Sequence, residues 1–414
     1  MPSPPAQSVL SPLGLTHAGF VDACRTAGHR PGRAGEAYAA FYREGIARAP
    51  ATEAGLAPIV ARLEEPGEHG VTTKFCQRLD DASRADTLAD ELPDAPADTP
   101  TRSGPAPRAA DRLPLGVLQH DERVRHLDIE SVVIPMVGST GRVSHTLCVS
   151  SQVGCAMGCR FCETAQMGLI RSLTPGEIVG QWYAATHALG DSERRSIDNI
   201  VFMGMGEPLD NLDSVLRAIE VLTGHMGPSV PMSNITISTV GRVDGLRRLV
   251  DVVAQPGWRR LGLALSVNAP NDEVRSDIMP LNQRWDMGEL REVMQDLVRV
   301  RGSRKLLFEY VLIPGVNDEE RHAREIAQWL QPFVRTAERG HIGMLNVIPY
   351  NPRRDSPWPA PSEESVDAFC RWVGEHGVFV KRRKTKGRTS MAACGQLGTA
   401  SIRRRRYIGA TDEA

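Results

Sequence analysis

Three of the chain's eight cysteines fall within eight residues, at Cys155, Cys159 and Cys162, spaced C-x3-C-x2-C in the stretch GCAMGCRFCETAQMG. Thiolates are soft ligands that suit zinc, copper(I) or iron–sulfur clusters. A structural zinc site closes with four ligands. No fourth Cys or His follows here at zinc-finger spacing, and the next histidine, His187, falls in a helical pattern. Three thiolates instead fit a four-iron cluster that leaves one iron open to a substrate or cofactor. Phe161, just before the third cysteine, can shield such a group. Two plainer readings stay open at this point: zinc completed by a distant ligand, or three buried thiols without metal.

A loop of this kind has to be held by regular elements, and the sequence supplies them from about Glu130 to the end. Apolar, β-branched runs recur in DNIVFMGMG, NITISTVG, RLGLALSVNAP, KLLFEYVLIPG, GMLNVIPYNP and GVFVKRRKTKG. Helical patterns lie between them: TPGEIVGQWYAATHALG, NLDSVLRAIEVLTG, DMGELREVMQDLVRVRG, ERHAREIAQWLQPF and SEESVDAFCRWVGEHG. In the first, Thr174 reads as an N-cap, Pro175 takes the first turn and Gly190 closes the helix. Repeated β-α units imply an α/β fold on a parallel sheet, open or barrel-shaped. Active sites of such folds gather at the strand C-terminal ends, which puts Glu207, Ser238, Asn268 and Asn351 on one rim.

The rest of the chain divides by composition. Residues 1–79 read as a small helical domain, from the spacing of Ala37, Ala40, Phe41 and Ile46 and from EAGLAPIVARLEE. Residues 80–115, rich in Asp, Ala, Pro and Ser, read as a flexible insert that buries too little surface to offset chain entropy. Residues 116–398 form the core, and 399–414 a basic tail. With 414 residues and 41% hydrophobic content the chain can build a sizeable core. No apolar run is long enough to span a membrane, and the first residues lack the basic start and apolar core of a signal peptide. A cytoplasmic protein with reduced thiols is therefore expected, and a monomer, since nothing in the sequence suggests an interface.

The cysteine spacing resembles the radical S-adenosylmethionine (SAM) superfamily. The ordered set TLCVSSQVGCAMGCRFCETAQMG, FMGMGEPLDN, ITISTVG, LALSVNAPNDEVR, EYVLIPGVND and AACGQLG narrows the match. It is similar to the RlmN/Cfr family of RNA adenine methyltransferases over about Glu130 to Gly398, and more loosely over the N-terminus. The resemblance implies a partial (β/α)6 radical SAM barrel with a small N-terminal helical, RNA-binding accessory domain. It implies a [4Fe-4S] cluster on Cys155, Cys159 and Cys162, with SAM chelating the open iron. Gly206 and Glu207 would hold the SAM amino group; Ser238, Ser266, Val267, Asn268 and Asn351 would contact its carboxylate, ribose or adenine. Asn268 stands where the family usually has His, keeping a donor and an acceptor without the titratable ring.

Two further cysteines sit in family motifs. The resemblance makes Cys394 a methyl carrier, Cys148 the thiol that resolves the protein–RNA adduct through a transient disulfide, and Glu130 the proton acceptor. Read without it, each is ordinary: a free Cys is usually a small buried hydrophobe, and Glu130 a solvated residue at a strand start. Cys24, Cys76 and Cys370 keep that plain reading. KRRKTKGR (Lys381 to Arg388) and the arginines Arg403 to Arg406 flank Cys394 with positive charge suited to RNA phosphates, although many charge runs are only solvated faces.

The activity expected is methylation of an adenine ring carbon, C2 of an adenine in 23S rRNA and possibly tRNA, consuming two SAM and an external electron donor such as flavodoxin. Three rivals stand beside it: C8 methylation of the same base, a radical SAM enzyme with another substrate, and a zinc-stabilised RNA-binding protein without catalysis.

Overall fold

The computed structural model describes residues 10–80, 126–138, 140–189, 196–301, 306–334, 342–383, 391 and 393–398. The chain begins with α1 (His17–Thr26) and α2 (Pro31–Glu44), which pack through a ring cluster of Phe20, Tyr38, Phe41 and Tyr42. Helix is the expectation for everything up to residue 79, but it ends at α2. EAGLAPIVARLEE runs instead into β1 (Ile59–Gly67), which pairs antiparallel with β2 (Gly70–Asp80) through a tight turn between Gly67 and Gly70. The reason is legible in the burial: most of β1 is exposed, so its charged residues show no strand alternation. As the edge strand it carries Arg62, Glu64 and Glu65, the charges that discourage edge-to-edge pairing.

The hairpin is part of the main sheet. β2 pairs with β3 (His126–Val137), and β3 with β4 (Val143–Cys148), both antiparallel. The connection between β2 and β3, residues 81–125, contains nearly all of the expected insert and lies outside the described residues.

From β4 onward the sheet is parallel. Its strands are β7 (Asn199–Phe202), β8 (Ile235–Thr239), β9 (Gly262–Ser266), β10 (Leu306–Leu312), β11 (Gly343–Pro349) and the short β12 (Val380–Arg382), each beside the next; a small side hairpin, β5 (Gln152–Gly154) with β6 (Leu169–Ser172), carries the cysteine loop. Each expected apolar run has become one of these strands. β10 is mostly buried along its length, with Glu309 and Val311 turned to the cavity described below.

The helices between them are α3 (Pro175–Tyr183), α4 (Leu212–Thr223), α5 (Val243–Ala254), α6 (Asp272–Ile278), α7 (Met287–Arg301), α8 (Glu320–Trp329) and α9 (Glu363–Glu375). α3 starts as its sequence demands: Thr174 Oγ1 accepts from Glu177 N at 3.2 Å while Glu177 Oε2 accepts from Thr174 N at 2.8 Å, a capping box with Pro175 in the first turn. α5 was not anticipated, because Gly245 weakens its helical signal. A Cβ at 245 would come within 2.8 Å of Leu209, so the glycine is there to let the helix approach. The architecture is the expected α/β partial barrel, extended at one edge by the antiparallel hairpin.

Candidate active site

The cysteine loop is fixed before any cofactor enters it. Gly154 holds φ at +76°, and a Cβ there would lie 1.9 Å from Gly168 O, so no other residue fits the start of the loop. Cys155 N then donates to Gly168 O at 2.9 Å and Cys162 N to Cys159 O at 3.1 Å. Gln166 Nε2 donates to Cys162 O at 3.2 Å, and Arg160 N to Ile278 O at 3.0 Å. The three thiols line one cavity that opens to solvent; the same cavity is walled by Gly206, Glu207, Ser238, Ser266, Asn268, Asn351 and Cys394. Strand ends far apart in sequence thus converge on the cysteine loop.

Burial pushes the Cys155 and Cys159 thiols well up, and each neighbouring thiol adds to it; Cys162 is raised too, by burial. Three thiolates in such a place need a positively charged group among them, which iron ions supply. Arg275 helps from behind. It is fully buried, donates to Val267 O at 3.1 Å, Asn282 Oδ1 at 2.8 Å and Val240 O at 2.6 Å, and lies in electrostatic reach of Cys159. Burial lowers its own pKa to about 10. Three soft thiolates on one cavity suit an iron–sulfur cluster that leaves one iron open. The set fits a larger polynuclear group.

The rim opposite is built to receive a small polar ligand. Glu207 is buried; its carboxylate accepts from Thr239 Oγ1 at 2.7 Å, Val240 N at 3.0 Å and Leu209 N at 3.1 Å. Burial raises its pKa, and these hydrogen bonds oppose the rise. Gly206, at φ +97°, precedes it where a Cβ would strike Gln152 at 2.5 Å. Asn351 is 3% exposed and its Oδ1 has no hydrogen-bond partner. A buried acceptor left open on a cavity wall is costly unless a ligand donor meets it, and the amino group of an adenine is such a donor.

Asn268 also lines the cavity, but the protein occupies its side chain: Oδ1 accepts from Val311 N at 2.9 Å and Nδ2 reaches Met279 Sδ at 3.5 Å. Its φ of +54° is a conformation that Asn and His tolerate better than most residues. Val267 is in the core, with its N–H on Leu265 O and Glu309 O; only its neighbours Ser266 and Asn268 reach the wall.

Cys394 is partly exposed on the cavity, and Cys148 is buried in electrostatic contact with it. Burial pushes the Cys148 thiol up to about 12, Cys394 adds to this, and Arg383 opposes it. The disulfide expected between them is not formed: both are free thiols. The Cys394 segment is tied down on one side by Glu163 N on Gly395 O (2.7 Å) and Thr164 Oγ1 on Leu397 O (2.6 Å). On the other side Gly398 N donates to Glu130 Oε2 at 2.7 Å. Glu130 is buried, not solvated, and does not itself line the cavity.

Reading the sequence missed three polar residues here. Glu309, in the middle of β10, accepts from Ser238 Oγ at 3.1 Å and from Arg383 Nη1 at 3.1 Å. Lys74 of β2 donates to Glu130 Oε1 at 3.2 Å. Arg275 is the third. A carboxylate inside the apolar run FEYVLI was itself a signal, because a buried charge requires partners. The basic stretch also reads differently. Arg382 is taken up by Glu363 and Asp367, and Arg383 by Glu309, while Lys381 is exposed. Residues 384–390 and Arg403 to Arg406 lie outside the described residues.

The comparisons with known proteins identify the family. The family model described as the radical SAM superfamily matches residues 149–326. A protein of Protochlamydia amoebophila named "Probable dual-specificity RNA methyltransferase RlmN 1" is 41% identical over 280 residues, covering 68% of this chain and 72% of that protein. The "Dual-specificity RNA methyltransferase RlmN" of Lawsonia intracellularis is 42% identical over 276 residues, covering 66% and 73%. The crystal structure of a radical SAM methyltransferase from Sphaerobacter thermophilus superposes with a TM-score of 0.72 at 31% identity, covering 94% of this chain and 98% of that one. Identity at this level over 72% of the Protochlamydia protein places the chain in the RlmN family of radical SAM methyltransferases.

Proposed function

We propose that the protein methylates an adenine ring carbon of RNA, C2 of an adenine in 23S rRNA and possibly of tRNA, through a methyl group carried on Cys394. The observation that carries this reading is the placement of Cys394 on the same cavity as Cys155, Cys159 and Cys162, with Cys148 buried within electrostatic reach of it. The names of the relatives support RNA as the substrate class.

Cys155, Cys159 and Cys162 would hold a [4Fe-4S] cluster, and Gly206, Glu207, Ser238, Ser266 and Asn351 would hold SAM. When bound and reduced by an external donor such as flavodoxin, the cluster and SAM supply a 5′-deoxyadenosyl radical. The protein's own residues do the rest. The Cys394 thiolate takes a methyl group by displacement, forming an S–C bond as the sulfonium C–S bond breaks. The S-methyl group gives up a hydrogen atom to that radical, its carbon bonds to the adenine ring carbon, one electron passes back to the oxidised cluster, and Glu130 accepts the proton of the ring carbon. The Cys148 sulfur then attacks the Cys394 sulfur: an S–S bond forms, the S–C bond breaks, the freed carbon takes up a proton to replace the one the Cys148 thiol gives up, and methylated RNA leaves. Exchange of this kind is ordinary thiol chemistry, and the resulting disulfide must be reduced before the next turnover.

Nucleoside mass spectrometry tests the reading. The cluster-loaded protein, given SAM with a deuterated methyl group and a 23S rRNA fragment, is expected to yield 2-methyladenosine. Recovery of 8-methyladenosine would move the reaction to C8. SAM cleavage with unmodified RNA would mean another substrate, and zinc in place of iron and sulfide would remove the radical chemistry.

A further inference from the structure

β2, in the region whose sequence reads as helix, supplies a side chain to the catalytic face of the sheet. In the register of the three antiparallel strands Lys74 lies opposite Val132, and Val132 opposite Cys148; Glu130 sits two residues along from Val132. Residues facing one another across strands share a face, and diagonal neighbours are within reach of long side chains. Lys74, Glu130 and Cys148 therefore project to the same side.

There Lys74 makes two bonds. Its Nζ lies 3.2 Å from Glu130 Oε1, with both side chains almost wholly buried, and it donates to Met391 O at 3.2 Å. The other carboxylate oxygen, Oε2, accepts from Gly398 N at 2.7 Å. The Cys394 segment is thus fastened to the hairpin side of the sheet at both ends, at Met391 through Lys74 and at Gly398 through Glu130. Among the described residues Cys76, opposite Glu130 on β2, also faces it, and burial pushes that thiol up to about 12, so it stays neutral. Lys74 is the cation that makes the Glu130 carboxylate a strong acceptor.

We infer that Lys74 is a positioning residue: together with Glu130 it fastens the Cys394 segment to the sheet, so that a proton arriving on Glu130 loosens that segment. Glu130's part as proton acceptor rests on the function proposed above; the fastening itself does not. Each oxygen of Glu130 holds one of these bonds and keeps a second lone pair that can take a proton. The acid that results is neutral, and it loses the charge-assisted bonds to Lys74 and Gly398, which are the stronger kind. Loosening then coincides with the step after which Cys148 must reach the Cys394 sulfur.

The test uses the full chain, cluster-loaded, without RNA or SAM. The rate of iodoacetamide labelling at Cys394 is read by mass spectrometry, with the partly exposed Cys370 of α9, outside the site, in the same sample as reference. Lys74→Met is expected to label Cys394 about tenfold faster, the effect of losing a hydrogen bond to a charged group. Glu130→Gln, a stand-in for the protonated acid, is expected to do the same. The double variant is expected to be no faster than either alone, as for residues acting through one another, and Lys74→Arg to restore the wild-type rate. An unchanged rate in Lys74→Met, multiplying effects in the double variant, or failure of Lys74→Arg to rescue would each overturn the inference. If Lys74→Met does not fold, Glu130→Gln reads the same bond, and an unchanged Cys394 rate there is equally fatal. Because the readout involves no methyl transfer, RNA that stays unmodified would count against the proposed function and leave this result standing.

Discussion

Arg383 Nη1 donates to Glu309 Oε1 at 3.1 Å, and Glu309 Oε2 accepts from Ser238 Oγ at 3.1 Å. One carboxylate therefore joins the rim proposed to hold SAM to a cation that faces both Cys394 and Cys148. Cys394 is the foremost of the groups that hold the Arg383 guanidinium in its charged form, ahead of Glu309 and Cys148. A cation beside a thiol favours the nucleophilic thiolate. Arg383→Met is expected to slow methylation of Cys394 by SAM about tenfold, roughly 1.4 kcal/mol, with Arg383→Lys in between. The methylated peptide, followed by mass spectrometry, checks this, and an unchanged rate would detach Arg383 from the thiol chemistry.

The two thiols differ in depth, and the difference has a pH signature. Burial pushes Cys148 up to about 12, against about 8.5 for a free cysteine. Its alkylation rate should climb about tenfold per pH unit from neutrality upward, with no plateau near the ordinary thiol range. The folded protein holds this proton to higher pH than the unfolded chain does. The contribution of Cys148 to stability is therefore complete below the unfolded value and is lost as pH rises through the folded one. A plateau in the labelling profile at about 8.5 would show that the thiol is not held in the dry setting described.

Gly154→Ala should fail at the cysteine loop. The new Cβ would sit 1.9 Å from Gly168 O, at a φ of +76°. A strained backbone position costs about 1–3 kcal/mol, and the clash adds to it. Iron and sulfide content after reconstitution should fall well below that of the wild type, with a lower melting temperature. Normal iron loading would mean that the loop adapts.

Glu207→Gln keeps the shape of the rim and removes its charge. Leu209 N and Thr239 Oγ1 donate to one oxygen and Val240 N to the other, so Gln keeps the shared pair and gives up the Val240 bond, and the variant should fold with a somewhat lower melting temperature. Its affinity for SAM should drop by about tenfold or more, the cost of losing a charge-assisted contact to an ammonium. Equilibrium dialysis on cluster-loaded protein measures it. Unaltered affinity would take Glu207 out of the SAM site.

Much of this site could be read in the sequence because its residues stand at recognisable places: three cysteines on one loop, and Glu207, Ser238, Asn268 and Asn351 just at or beyond strand ends. The fold sets that rim, and strand spacing reveals the fold. What stayed hidden depends on partners distant in sequence. Lys74 meets Glu130 across 56 positions and Met391 across 317, and Glu309 meets Arg383 across 74. No local pattern announces such pairs. The hairpin was misread for a different reason: β1 is mostly exposed at a sheet edge, so burial imposes no alternation on it, and its Ala, Leu and Glu residues suit a helix equally well.

The most direct experiment removes the resolving thiol. Cys148→Ala, expressed with an iron–sulfur assembly system, should purify with RNA joined covalently through Cys394. Digestion and sequencing of the attached fragment should end on a crosslinked adenine and identify the target. If the protein carries an intact iron cluster and cleaves SAM, and forms no adduct even with 23S rRNA and tRNA supplied, RNA methylation through Cys394 is contradicted.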